Sequence, residues 1–244
     1  MSFYKSISKA YDNIFPINEN IVEFVLESIS NENKFKILDI GCATGHLAGE
    51  LSKKGFSVMG IDLNSEMIKF AKNHYKTNNV DFKVMNMLDV DEKFQEDSFD
   101  IITCFGNTLV HLTNEEMIFK ALRKIKCILK NGGKLQIQIL NYDYILNECI
   151  KELPLIENDY IKFERFYSEQ VRDERLIFET RLTIKSTGEV ISNEIYLYPL
   201  LKKQLNNMLQ QLGFEDVKFY KDFKKRTYTN NHLPLVMESV LSKK

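Results

Sequence analysis

A doubly wound α/β fold is what this sequence predicts, and three observations carry the prediction. Short apolar runs alternate with amphipathic helical segments over residues 35–140, which argues for a mostly parallel sheet with helices on both faces. The first run, Phe35 to Ile40, breaks into a small-residue turn at Gly41, Ala43 and Gly45 before a helical segment, the unit that brings backbone N–H groups close to a bound nucleotide. The second run, Val58-Met-Gly-Ile-Asp62, ends on a carboxylate where such folds bind ribose hydroxyls.

The elements follow in order. Residues 4–30 read as two short helices divided at Pro16, an N-terminal helical cap over 1–30. Strands are expected at 35–40, 57–61, 80–85, 99–104 and 134–140, with helices at 45–54, 64–77 and 114–130 between them. Helix 64–77 has Asn64 and Ser65 as cap candidates and Met67, Ile68 and Ala71 along one face. Asn131-Gly132-Gly133 suits a helix C-terminus, where a left-handed residue is wanted. From about residue 160 the apolar period changes from 3.6 to 2. In 175–185, Leu176, Phe178, Thr180, Leu182 and Ile184 share one face, with Arg175, Glu179, Arg181 and Lys185 opposite. Thr187-Gly188 turns this strand into 190–198, and residues 160–168 add a third strand. Helix 200–212 stops at Gly213, and strands 215–221 and 233–241 complete the chain. The antiparallel insertion over approximately 155–198 is expected to be a lid, against the alternative of a structural appendage or dimer surface. Tyr160, Phe166, Tyr196 and Tyr198 are expected to line its pocket.

The 244 residues fit one domain, 1–244, with enough chain to bury a sizeable core. A formal net charge of −1 removes the long-range attraction that nucleic acid or an anionic membrane would need. Cys42, Cys104, Cys127 and Cys149 lack metal or redox spacing and read as reduced thiols. No apolar run approaches the roughly 20 residues of a membrane span, and no signal-peptide core opens the chain, so a cytoplasmic protein is expected, monomeric or homodimeric. His46, His74, His111 and His232 are isolated, so no metal site is expected.

Asp39, just before the small-residue turn, separates the cofactor classes. A carboxylate there would repel a pyrophosphate, whereas an aminoacyl cofactor bearing an ammonium group would welcome it. With Gly41, Gly45 and Asp62, it agrees on strand context, spacing and charge. Taken together, Asp39-Ile-Gly41-Cys-Ala43-Thr-Gly45, Asp62-Leu-Asn, Met85-Asn-Met-Leu-Asp89, Phe99 through His111 and Leu129 through Leu135 resemble the class I S-adenosylmethionine-dependent methyltransferases. Ala43 stands at the middle glycine of their pattern.

The resemblance covers most of residues 1–141. It implies a Rossmann-like seven-stranded sheet with the last strand antiparallel, and S-adenosylmethionine as cofactor. It also implies a methyl transfer that needs orientation and exclusion of water more than acid–base machinery. The implied cofactor contacts are Tyr11, Asp39, Gly41, Gly45, Asp62, Leu63, Met67, Asn86, Met87, Phe105 and His111. Gly41 is read as leaving room for the methionyl moiety, Asp62 as accepting both ribose hydroxyls, and Asn86 and Met87 as meeting the adenine. His111 reads either as a cofactor contact and general base or as a cap of the helix after Thr113-Asn114.

Phe105-Gly-Asn-Thr-Leu-Val-His111 and Ile139-Leu-Asn-Tyr-Asp143 are similar to segments of glycine N-methyltransferase relatives. Asn107, Asn141, Tyr196 and Tyr198 are the candidate acceptor residues. Leu140 occupies the place of the arginine that grips a carboxylate in those relatives. A small neutral or cationic acceptor is therefore expected, unless Arg165, Arg172, Arg175 or Arg181 supplies a substitute. The expected function is methylation of a small molecule at nitrogen or oxygen. A protein or RNA methyltransferase and a non-catalytic cofactor-binding regulator are the alternatives.

Overall fold

Burial on both faces explains the first strand: Ile37, Leu38 and Ile40 are 0–1% exposed, which only a strand in the middle of a covered sheet requires. In the computed structural model, which describes residues 7–16, 18–29, 35–172 and 174–243, this strand is β1 (Lys36–Ile40), an interior strand of seven. The others are β2 (Ser57–Asp62), β3 (Val80–Val84), β4 (Phe99–Cys104), β5 (Leu129–Leu140), β10 (Phe214–Tyr220) and β11 (Pro234–Leu241). Their order is β10-β11-β5-β4-β1-β2-β3, and β11 runs antiparallel to both its neighbours. The expected α/β sheet, mostly parallel with its last strand antiparallel, is the one observed.

Helices cover both faces. His46–Lys53 and Ser65–His74 lie on one side with Glu19–Leu26, and Glu115–Ile128 and Lys202–Gln211 pack into the other core. Asn64 caps Ser65–His74, its side-chain oxygen accepting from the Glu66 and Met67 N–H groups. Asn114, not His111, caps Glu115–Ile128 by accepting from Met117 N–H at 2.8 Å. That helix ends at Ile128, and the chain is extended from Leu129, five residues before the expected start of β5. A register shift against β4 takes up the Gly132-Gly133 irregularity. Two short helices were not anticipated, Val90–Lys93 and Tyr142–Asn147, the second with its first turn capped by Asn141, which accepts from Tyr144 N–H at 3.3 Å.

A second sheet, antiparallel, contains β6 (Ile156–Glu157), β7 (Ile161–Arg172), β8 (Arg175–Ile184) and β9 (Val190–Leu197) in that order. Its pairing fixes which side chains share a face: Phe163 opposes Leu182, Tyr167 opposes Phe178, and Phe178 opposes Ile195. Ile161, Phe163 and Leu182 bury themselves against Ile7, Ala10 and Ile14 of the N-terminal segment. Other hydrogen bonds tie this sheet to the main domain. Tyr198 N–H donates to the Val110 carbonyl at 2.9 Å, and Leu153 N–H donates to the Arg165 carbonyl at 2.9 Å. Of the expected N-terminal cap, residues 1–6, 17 and 30 lie outside the described residues. No helix among the described residues is long and apolar enough to cross a membrane.

Candidate active site

Two connected cavities open at the carboxyl ends of β1, β2, β4 and β5, where open α/β sheets bind their ligands. The inner holds about 230 Å³ and the outer about 490 Å³. Tyr11, Gly41, Ala43, Phe105, Gly106 and His111 line both, so the two volumes meet along this row.

Asp62 ends β2 in the inner cavity. Its Oδ2 accepts from Ala43 N–H at 3.0 Å and its Oδ1 from Asn64 N–H at 2.8 Å, which fixes the carboxylate while leaving further lone pairs for a ligand. Burial raises its pKa against the opposing pull of these backbone bonds. Leu63, Met67, Met85 and Met87 supply the apolar remainder of that cavity. Leu63 is 66% exposed, a large apolar side chain kept at the mouth of the cavity.

Asp39 lies in the outer cavity and is 4% exposed. Thr103 Oγ1 donates to its Oδ1 at 2.8 Å. Burial pushes its pKa up to about 6, opposed by the Thr103 bond and reinforced by the Asp62 charge. A buried carboxylate without a cationic partner among the described residues is the receptor that an ammonium group requires. Beside it, Asp12 accepts from Thr44 Oγ1 at 2.6 Å and lies 2.9 Å from His46 Nε2.

The small residues act differently from what their spacing suggests. A Cβ on Gly41 would meet the Thr108 hydroxyl at 2.4 Å, so this glycine admits the turn Thr108–His111 rather than a methionyl group. Gly45 lines neither cavity: a Cβ there would meet the Phe82 ring at 2.7 Å, so its work is to seat a helix on the sheet. Ala43 holds φ +47, a left-handed conformation that explains why glycine suits this place in related turns. Gly106, at φ +69, is the residue whose Cβ would meet no protein atom within 4 Å while its backbone lines both cavities. Its N–H donates to Gln138 Oε1 at 2.9 Å. A side chain there would intrude on a ligand.

His111 stands where the cavities join, and burial pushes its pKa down to about 4, so the imidazole is neutral at physiological pH. Asn107 lines the outer cavity, but its Oδ1 accepts from Leu140 N–H at 2.9 Å and its Nδ2 donates to Tyr142 Oη at 3.0 Å.

Six further expected contacts lie elsewhere. Asn86 caps the turn Met87–Asp89, its side chain accepting from Leu88 N–H at 3.0 Å, and lines neither cavity. Asn141 is fully buried, donating to the His232 carbonyl and accepting from Tyr228 Oη. Tyr198 packs its hydroxyl against Glu115 and Gln204, and Tyr196 bonds Glu194 at 3.1 Å on the outer face. Tyr160 is 66% exposed and Phe166 faces Glu179.

The second sheet's face toward the outer cavity carries Phe163, Arg165, Phe178, Ile195 and Leu197 instead. The expected aromatics on β7 and β9 belong to the opposite parity, and a one-residue change of parity reverses a strand's faces. Both faces carry aromatic residues, so alternation alone did not choose. The signal that could have chosen was Phe178 on the apolar face of β8, which β7 and β9 must match across the sheet.

A doubly wound sheet with an acidic strand end and a buried carboxylate at the first turn suits a nucleoside-bearing cofactor that also carries an ammonium group. A family described as methyltransferase domain matches residues 37–133. A glycine/sarcosine N-methyltransferase of Aphanothece halophytica is 28% identical over 204 residues, covering 82% of this chain and 74% of that protein. The glycine N-methyltransferase of Mus musculus is 35% identical over 124 residues, 46% of this chain and 42% of that protein. The fold matches a crystal structure of an S-adenosylmethionine-dependent methyltransferase from Clostridium acetobutylicum ATCC 824 with a TM-score of 0.79, at 17% identity, over 99% of this chain and 100% of that one. Together these likenesses support a class I S-adenosylmethionine-dependent methyltransferase.

Proposed function

We propose that the outer cavity holds a small-molecule acceptor, and that the chain moves the cofactor's methyl group onto a nitrogen or oxygen of it. The observation that carries this is the enclosure of about 490 Å³ between the strand ends and the second sheet, continuous with the cofactor cavity and of the size small ligands fill. The N-methyltransferase names of the two relatives support the same reading. S-adenosylmethionine, when bound, supplies an electrophilic methyl on a sulfonium.

The protein's own part is placement. Asp62 would bind the ribose hydroxyls, Met67, Met85 and Met87 would hold the adenine, and Asp39 would bind the ammonium. Tyr11 and Phe105 would cover the junction of the cavities and exclude water. The second sheet acts as the lid. His111, unprotonated, is placed to take the proton that an amine or hydroxyl acceptor sheds.

The test is to incubate the purified protein with tritium-labelled S-adenosylmethionine and a cell small-molecule extract. Label in a low-molecular-weight product that disappears in Asp62→Ala supports the reading. Label confined to protein or RNA overturns it.

A further inference from the structure

The proposed function leaves one cation in the outer cavity without a task. Arg165 stands on β7, on the face that the second sheet turns toward the cavity. Its Nη2 donates to the Pro154 carbonyl at 2.6 Å, and its guanidinium lies 5.8 Å from the Phe163 ring centroid. Its Nε is buried and has no hydrogen-bond partner. Burial lowers its pKa, and the group that opposes this is the Tyr167 phenol rather than any carboxylate. Desolvating a guanidinium this way costs free energy that a neighbouring anion would normally offset. Among the described residues no anion does so.

Its position is away from the ribose and adenine end of the site. Arg165 lines the outer cavity and not the inner. Two residues along the strand, Tyr167 packs edge-on to Tyr142, their rings 6.5 Å apart, and Tyr142 Oη bonds Asn107. Arg165 shares the lining of the outer cavity with Asn107 and Leu140. Asp39, in the same cavity, is taken by the cofactor's ammonium in the proposed function.

We propose that the acceptor carries a carboxylate and that the Arg165 guanidinium binds it, in place of any arginine at Leu140. A planar fork of N–H donors matches a carboxylate, and such a charge-assisted bond dominates recognition where water is excluded. This rests on the outer cavity being the acceptor site. It replaces the neutral or cationic acceptor expected from the sequence.

The other carboxylate that could reach the guanidinium is that of the cofactor's aminoacyl group, and the experiment separates the two. The wild-type protein, Arg165→Gln and Arg165→Lys are each given tritium-labelled S-adenosylmethionine and a cell small-molecule extract. Products are resolved by electrophoresis at about pH 11, where simple amines are neutral and carboxylates keep their charge. Cofactor affinity of each variant is measured by calorimetry, which also shows that it is folded. The expected result is a labelled product moving as an anion, at least about tenfold less of it from Arg165→Gln, an intermediate yield from Arg165→Lys, and cofactor affinity within about twofold throughout.

A labelled product without acidic charge overturns the proposal, as does wild-type yield from Arg165→Gln. A tenfold loss of cofactor affinity in Arg165→Gln would assign the guanidinium to the cofactor and overturn it equally. Failure of the wild type to label any small molecule counts instead against the small-molecule reading, and removes this proposal with it.

Discussion

The two walls of the cavity are held by different forces. The cofactor wall is made where β1, β2 and β4 end, and short-range backbone bonds fix it: Gly41 and Cys42 N–H both donate to the Ile61 carbonyl, and Ala43 N–H donates to Asp62. The facing wall, the antiparallel sheet β6–β9, reaches the site through tertiary contacts. The N-terminal Ile7, Ala10 and Ile14 pack on it, Tyr167, Leu176, Phe178 and Leu197 join the core of the main domain, and backbone bonds to Val110, Lys151 and Leu153 add to these contacts. One wall is thus rigid, built on the ends of core strands. The other is docked, assembled from segments distant in the sequence.

The comparison is sharpest at Gly45. Gly45→Val must fit a side chain against Phe82 and Ala71 Cβ at φ +83. Overpacking and left-handed strain together should cost about 3 kcal/mol or more, read as a lowered urea midpoint. A stable Gly45→Val protein would show that this wall is not rigid.

Asp62→Ala should weaken S-adenosylmethionine binding ten- to hundredfold, about 1.5–3 kcal/mol, since it deletes a charged acceptor. NAD should not compete. Unchanged calorimetric affinity would remove Asp62 from the site.

Asp39→Asn should have opposite effects on stability and affinity. The folded carboxyl titrates near 6, above its unfolded value, so the folded state holds the proton more tightly. Burial of the charge is then a stability loss that sets in as pH rises from about 4 and is complete above about 6. The variant should therefore gain on the order of 1–2 kcal/mol of stability without cofactor at pH 7, with little gain at pH 4, while losing cofactor affinity. Wild-type affinity should rise with pH through 6, with proton release on binding below it. Denaturation curves at the two pH values and calorimetry in buffers of different ionisation enthalpy check each part.

On the docked wall the effects are smaller and confined to the acceptor. Ile195→Ala should slow acceptor methylation several-fold while cofactor affinity stays within about twofold. Tyr196→Ala, on the outer face, should change stability by no more than about 0.5 kcal/mol and leave turnover unaltered. Equal effects of the two would show that the inward face of β9 has been misassigned.

By itself the sequence determined the elements and the cofactor wall, because those signals are local. An apolar run, a turn needing left-handed residues and a carboxylate at a strand end lie within some 25 residues, and no distant contact can reassign them. It also determined that residues 160–198 are antiparallel strands. What it left open were questions of facing and partnership. Asn86 and Asn141 look like ligand groups but are taken by a turn and by the His232 loop, because a polar side chain goes to whichever donors the fold brings nearest. Gly41 and Gly45 were recognisable as necessary, but only packing shows that Thr108 and Phe82 are what they admit. Which face of the second sheet looks inward, and hence that Phe163 and Arg165 rather than Tyr160 and Phe166 meet the cavity, was decided by tertiary structure alone. A strand with large side chains on both faces turns inward the one that its docking partners bury, and those partners, Ile7, Ile14 and the turn at Val110, come from far along the chain.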